Sequence, residues 1–210
     1  MIAGMLAAAA VATSAGTACS TAPAQARANV DINWDTRGVY VSPRCDWRLT
    51  VKGVRPGDDE DGVVYLSRNR PGAKARRLYR VERNSRIHWS SREAFLLVDD
   101  MAYSNHWTVL AFDLKAPRAD SRRVQRALSA DVKRRIGPGY DLVFDMPRLS
   151  ALTDDHVSVA YGLTVGPHGT TRIEERCYLY DAIPLRRPEQ MKGRQVAVPD
   201  EGARPCTVHP

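Results

Sequence analysis

The chain has 210 residues, of which 43% are hydrophobic and 26% are charged. This balance is typical of a globular protein and excludes a disordered chain, and the length suits one domain with a real hydrophobic core. The formal net charge of +7 favours acidic partners over basic ones.

The N-terminal residues indicate export from the cytoplasm. Residues 1–26 carry no charged side chain, and residues 1–18 are apolar and rich in alanine. That length suits the core of a signal peptide or a minimal membrane span. Ala24, Gln25 and Ala26 supply the small-x-small pattern of a signal-peptidase site, so we predict cleavage after Ala26.

Two alternatives for this segment remain open. Gly16-Thr17-Ala18-Cys19 resembles a bacterial lipobox, in which Cys19 would carry a lipid after cleavage. The other alternative is an uncleaved membrane anchor. All three interpretations place the rest of the chain outside the cytoplasm, and the high alanine and arginine content favours a bacterial periplasm.

The first half of the chain predicts short antiparallel strands. Residues 39–41 open the fold, and residues 47–52 alternate apolar with polar side chains as a half-buried strand does. An exposed acidic loop covers residues 58–61. Further strands are predicted at residues 63–66 and 77–81.

A central hairpin follows. Residues 94–98 form an unbroken apolar run, which is typical of a strand buried on both faces. Residues 107–114 are rich in aromatic and β-favouring residues and predict its partner strand. The polar residues 99–106 predict a long loop between them.

One helix is predicted near residues 118–136, where apolar side chains recur at helical spacing. Asp120 or Ser121 would cap its start, and Gly137-Pro138-Gly139 would end it. Strands are then predicted by the sequence pattern at residues 140–144, 157–165 and 170–180.

These elements predict a mostly β (α+β) fold with one domain at residues 27–181. We expect an antiparallel, sandwich-like meander with blade-like hairpins and the single helix. Residues 182–210 are rich in proline and charge, and predict an irregular tail tied to the domain.

A weak repeat relates two segments, which begin at Ser42 and Ser90. Each has a serine, a turn, an aromatic residue and a leucine two positions later. The pattern resembles the S-P-D-G-x-W/F-L-A signature of TolB-type β-propeller repeats, although Arg44-Cys45 and Arg92-Glu93 replace Asp-Gly. The resemblance implies that each turn leads into the middle strand of a blade. A blade needs about 40–50 residues, and the helix interrupts any regular array, so we expect blade-like meanders rather than a closed propeller.

Three cysteines remain after the predicted cleavage, namely Cys45, Cys177 and Cys206. In an oxidising compartment they predict one disulfide and one unpaired cysteine. We favour Cys177–Cys206, which would tie the tail to a strand, with Cys45–Cys206 as the alternative. No C-x-x-C pair indicates a zinc site.

The loop of the central hairpin is a candidate contact site, because loops carried on rigid strands often bind partners. Its candidate residues are Asp99, Asp100, Tyr103, Asn105 and His106. Carboxylates and a histidine can also bind metal or transfer protons. Asp154 and His156 share a strand face, and with His88 or His168 nearby they could form a second such site. A solvated loop tip and a polar strand start are the simpler interpretations.

A basic segment between residues 68 and 86 is the other candidate contact, with Arg76, Arg77, Arg80 and Arg83 in it. It suits an acidic protein, or an anionic lipid or glycan surface. Nucleic acid is not expected as a partner, because the domain is predicted to be exported. Arginine used only for solubility is the alternative.

No P-loop, G-x-S-x-G or H-E-x-x-H motif is present. We therefore predict a binding protein without a cofactor, not an enzyme. It would recognise an envelope protein, most specifically as an inhibitor or immunity protein against a toxin or cell-wall hydrolase. The alternatives are a metal-dependent envelope hydrolase that uses His88, His106 and His156, and a structural lipoprotein anchored to the membrane through Cys19.

Overall fold

A computed structural model describes residues 25–26, 29–33, 36–53, 62–81, 83–103, 106–116, 120–198 and 206. Its strands form two sheets, which we call the smaller and the larger sheet. The smaller sheet has five strands in the order β1-β3-β4-β5-β6. They are β1 (Gln25–Ala26), β3 (Gly38–Val41), β4 (Trp47–Lys52), β5 (Gly62–Arg68) and β6 (Arg76–Val81).

The larger sheet has eight strands in the order β13-β12-β11-β10-β9-β8-β7-β2. They are β2 (Asn29–Asn33), β7 (Asn84–Trp89), β8 (Phe95–Tyr103), β9 (His106–Asp113), β10 (Tyr140–Leu152), β11 (His156–Pro167), β12 (Glu174–Pro184) and β13 (Gly193–Val196). The helix α1 (Arg123–Ile136) and a short 3-10 helix (Pro188–Gln190) complete the described elements. The predicted fold class, a mostly β domain with one helix, is confirmed.

Antiparallel pairing dominates both sheets, with two exceptions. The short β1 runs parallel to β3. β9 and β10 are also parallel and share a single paired position, Asp145 with His106. α1 connects these two strands, because a parallel pair needs a crossover rather than a tight turn. The larger sheet therefore consists of two antiparallel groups joined side by side.

The larger sheet is the middle layer of the molecule. In β8, Leu96 and Val98 pack against the smaller sheet, whereas Phe95 and Leu97 pack against the core beneath α1. Residues 94–98 are all buried, so the prediction of a strand covered on both faces is confirmed. α1 closes the other side through Val124, Leu128, Val132 and Ile136.

The central hairpin is confirmed, but the long loop predicted at residues 99–106 is wrong. β8 continues to Tyr103 and β9 starts at His106, with those two residues paired. Backbone pairing across the hairpin satisfies the amide and carbonyl groups of this polar stretch as well as it does those of an apolar one. The polarity of residues 99–106 therefore does not by itself indicate a loop.

The helix begins later than predicted. It starts at Arg123, and the Arg122 N-cap makes no side-chain cap bond. The Asp120 carboxyl instead accepts a hydrogen bond from the Arg122 amide at 2.9 Å. The predicted end at Gly137 is confirmed, because the Gly137 amide donates to the Lys133 carbonyl and its φ of 84° suits glycine.

Three further differences arise from pairing between distant segments. The polar lead-in before residue 38 contains β2, which pairs with β7. The strand predicted at residues 140–144 extends to Leu152 along β11. The tail predicted to be irregular contributes β13, which pairs with β12. Each of these segments is a strand because of the neighbour it pairs with.

The two repeat segments adopt the same turn. The Ser42 amide donates to the Trp47 carbonyl at 3.0 Å, and the Ser90 amide donates to the Phe95 carbonyl at 3.0 Å. In both turns the fourth residue has a positive φ, 64° at Cys45 and 54° at Glu93. Each serine hydroxyl also accepts a hydrogen bond from the amide of the following aromatic residue. The repeat therefore has a local structural basis.

Within the described residues, no helix is both long and apolar enough to cross a bilayer.

Candidate functional site

Two carboxylates join the turns of three hairpins, namely β3–β4, β7–β8 and β10–β11. Glu93 is buried, and it accepts hydrogen bonds from the Ser42 hydroxyl at 2.8 Å and the Arg44 amide at 2.5 Å. Asp154 accepts equivalent bonds from the Ser91 hydroxyl at 2.8 Å and the Arg92 amide at 2.7 Å. Glu93 replaces the glycine of the propeller signature, and here it holds the preceding turn in place.

Asp154 is therefore engaged in the fold. Burial alone would raise the pKa of its carboxyl, but hydrogen bonds from the turn it holds lower that pKa below the usual value. The other members of the second predicted cluster lie apart from it. His88 is 3.4 Å from Asp99, and His168 is 2.9 Å from Asp141. His156 is exposed.

Asp99 and Asp100 are not loop residues. Both lie in β8, and only 6% and 7% of their surfaces are exposed. The Asp100 carboxyl accepts a hydrogen bond from the Ser85 hydroxyl at 2.6 Å. These side chains are too enclosed to form the exposed contact that we predicted. For Tyr103 the structure describes the backbone pairing alone, and Asn105 lies outside the described residues.

His106 lies beside a carboxylate that the sequence did not indicate. Its Nδ1 is 2.6 Å from one oxygen of Asp145, and the Tyr161 hydroxyl donates to the other at 2.6 Å. Burial and then the negative charge of Asp145 raise the pKa of Tyr161. The imidazole is half-exposed, whereas both partners are buried.

This cluster is able to transfer protons, but it also has a plain structural function. It lies at the one paired position between the parallel strands β9 and β10, so it ties the two groups of the larger sheet together. His88, His106 and His156 have separate surroundings. Among the described residues no group of three ligand-type side chains is placed to hold a metal.

The basic segment has residues on both sides of the smaller sheet. Arg76 is half-buried, and burial lowers the pKa of its guanidinium. Arg77, Arg80 and Arg83 are exposed. Arg77 pairs across the strands with Tyr65, and Arg80 with Val63, so these arginines stand on the side of the sheet that faces away from the larger sheet.

We call that side the outer face. Alternation along β4 places Arg48, Thr50 and Lys52 on it, opposite the buried Trp47, Leu49 and Val51. Besides the β4 residues, Arg77 and Arg80, it carries Val39, Val63, Tyr65 and Ser67. Val39 is 40% exposed. The Lys52 ammonium lies 5.1 Å from the centre of the Tyr65 ring.

The strands β3 to β6 contain no acidic residue. They carry two basic residues in β4, one in β5 and three in β6. The combination of cationic, aromatic and small polar side chains on one flat face suits contact with an acidic protein surface.

The disulfide Cys177–Cys206 is confirmed, with an S–S distance of 2.00 Å. It ties residue 206 to β12. Cys45 is disulfide-bonded as well, and none of the described cysteines is free. The prediction of one unpaired cysteine is therefore wrong, as is the alternative pairing of Cys45 with Cys206. The sequence has one further cysteine, Cys19, which lies outside the described residues.

No protein-family model, curated protein or solved structure matches this chain.

The sequence indicated the arginines of the outer face. It did not indicate that they lie beside side chains of β4 and β5 on one side of a sheet. Period-two alternation in residues 47–52 indicated which side of β4 is exposed, and it was the only local signal available. Sequence reasoning also missed Asp145 and Tyr161, because their contact with His106 depends on the pairing of β9, β10 and β11. Nothing in the spacing of these three residues indicates that contact.

Proposed function

We propose that this chain is an exported domain that binds an acidic protein through the outer face of its smaller sheet. The observation that supports this most directly is the charge of strands β3 to β6, which carry arginine and lysine but no acidic residue. Such a surface attracts a negatively charged partner and orients it before contact.

The composition of the face also suits a protein interface. Tyr65 supplies a large, stiff ring, and Arg77 and Arg80 supply donors for carboxylates. Val39 and Val63 provide apolar area between the charges. Arginine and tyrosine are the residues most often found to dominate binding energy in protein interfaces.

The finer proposal is that the partner is an envelope-acting toxin or cell-wall hydrolase, which this domain inhibits. It rests on the N-terminal export pattern, the cysteines, and the lack of a recognised catalytic motif in the sequence. The protein would then act by covering an acidic surface of its partner.

A capture experiment tests the proposal. The tagged chain is incubated with envelope extract at low and at moderate salt, and compared with the double variant Arg77→Glu/Arg80→Glu. A matched control, Arg172→Glu/Lys192→Glu, makes the same charge change at exposed residues away from the outer face. We expect the wild type and the control to retain one stoichiometric partner that is lost as salt rises.

The double variant should lose that partner. Equal retention by the double variant would contradict the role of the outer face, and the absence of any partner would contradict a binding function. An enzymatic activity of the captured protein that rises when the complex dissociates would support inhibition.

The proposal of export, and its alternative of anchoring through Cys19, is tested by mass spectrometry of the mature protein. Cleavage after Ala26 leaves Arg27 as the first residue, whereas the lipoprotein alternative gives an acylated Cys19. A non-reduced peptide that links Cys19 to Cys45 would contradict both.

A further inference from the structure

A cavity lies away from the outer face, against β2, β7, β8 and β9. Its volume is about 300 Å³, and charged or polar side chains dominate its walls. The residues that matter for its chemistry are Asp31, Asn33, Arg86, Asp99, Trp107 and Arg148. No part of the protein-binding proposal uses them.

Asp99 has an unsatisfied oxygen in this cavity wall. One carboxyl oxygen is 3.4 Å from the His88 Nε2. The other, Oδ1, is buried and has no hydrogen-bond partner within the described part of the chain. A buried acceptor without a partner is costly, so an oxygen of this kind indicates a missing donor. The whole residue is 6% exposed.

The remaining walls are built from paired groups. The Arg86 Nε donates to an Asp31 oxygen at 2.6 Å. The Arg148 guanidinium lies over the Trp107 ring, 4.1 Å from its centre. These contacts fix the long side chains in place, and a binding site whose groups are already positioned loses less entropy when a ligand binds.

Both signs of charge line the cavity, and this limits the ligand. An anion would be close to the carboxyl groups of Asp31 and Asp99. A cation would be close to the guanidinium groups of Arg86 and Arg148. A neutral hydroxyl avoids both conflicts, because it donates to a carboxyl oxygen and accepts from a guanidinium or an amide.

We infer that this cavity binds a neutral polyhydroxylated ligand, a saccharide residue. A ligand hydroxyl would donate to the Asp99 carboxyl, and neighbouring hydroxyls would meet Arg86 and Asn33. Trp107 offers an apolar edge to the carbon skeleton of a sugar ring. The volume is at the lower end for small-molecule sites, about 300 to 1,000 Å³, and so suits a single ring.

The test titrates the purified full chain with glucose, galactose, mannose and N-acetylglucosamine, each by calorimetry and by amide NMR. We expect at least one sugar to bind saturably, with a dissociation constant of about 1 mM or below. Arginine and inorganic phosphate serve as charged probes. The binding of either at comparable strength, or of none of the sugars, would overturn the inference.

Asp99→Asn keeps the shape of the side chain and should weaken sugar binding at least ~10-fold. Asp181→Asn, at an exposed position of β12, is the matched control and should leave the affinity unchanged. Unchanged affinity in Asp99→Asn would contradict the assignment.

The wild type provides a readout that does not depend on whether Asp99→Asn folds. Sugar binding should shift the indole N–H resonance of Trp107 and the side-chain amide of Asn33 most strongly. Shifts centred on another part of the molecule would place the sugar elsewhere and overturn the inference.

Discussion

Two regions of this protein are rich in basic residues, and they differ in what surrounds the charges. On α1, Arg126 forms an ion pair with Asp120, and Arg134 and Arg135 both pair with Asp131. On strands β3 to β6 no acidic residue is present. The helix arginines pair with acids on or near α1, whereas strands β3 to β6 carry no acidic residue of their own.

On the helix, one buried carboxylate, Asp131, pairs with Arg134 and Arg135. Its carboxyl is buried and accepts hydrogen bonds from the Arg135 Nε at 2.6 Å and the Tyr180 hydroxyl at 2.9 Å. It therefore joins α1 to β12 and gives the helix arginines a fixed partner. A count of basic residues does not identify a binding surface unless the acids near them are also known.

The face of β12 opposite to α1 carries a disulfide, and its removal has the largest expected effect on stability. Cys177 and Cys206 are separated by 29 residues in the sequence. Replacing Cys206 with serine should lower the free energy of unfolding by roughly 3–4 kcal/mol in the chain-entropy model. Urea denaturation followed by circular dichroism measures this loss of unfolding free energy. A stability equal to that of the wild type would show that the disulfide does not stabilise the fold.

Asp131→Ala should lower the free energy of unfolding by roughly 3 kcal/mol, because it leaves buried donors without their acceptor. Arg77→Gln on the outer face should change it by less than about 0.5 kcal/mol. Urea denaturation of the two variants compares the regions directly, with Asp181→Ala as an exposed control. Similar losses in both regions would contradict the distinction between them.

The pH dependence of stability should also separate the regions. Burial alone would raise the pKa of Asp131, but hydrogen bonds from Arg135 and Tyr180 and the nearby positive charges lower it below the usual value. A lowered pKa contributes stability above the unfolded value, about 4, and that stability is lost as pH falls through the folded pKa.

The difference in unfolding free energy between the wild type and Asp131→Asn should therefore shrink as the pH is lowered from 7 towards 3. Denaturation curves at several pH values measure it. Arg77→Gln should show no such trend over this range, because arginine stays protonated. A constant difference for Asp131→Asn would indicate that its charge does not stabilise the fold.

The smallest expected effect concerns binding kinetics. Neutralising the outer face with Arg77→Gln/Arg80→Gln should slow association with the captured partner by about tenfold at low ionic strength, and by less at high salt. Arg123→Gln/Arg126→Gln on α1 removes the same charge and should have little effect. Surface plasmon resonance at several salt concentrations measures both rates. Equal slowing would show that net charge, not the outer face, guides the partner.

The sequence by itself determined the elements whose signal is local. The apolar run at residues 94–98 indicated a strand covered on both faces, and helical spacing indicated α1 up to Gly137. The position of Cys177 on a strand before a proline-rich tail was enough to favour its bond to Cys206. These features depend on neighbours in the sequence, so periodicity, turn residues and composition report them.

Only the tertiary structure decided the rest. The polar ends of β8 and β10, and the short β2 and β13, are strands because another strand pairs with them. Asp99 faces a cavity, and Asp145 meets His106, because β7 to β11 lie side by side in the larger sheet. The arginines of β6 form a face because β4 and β5 add lysine, arginine and tyrosine beside them. Backbone pairing joins residues that are distant in the sequence, and the sequence order carries little information about which of them will meet.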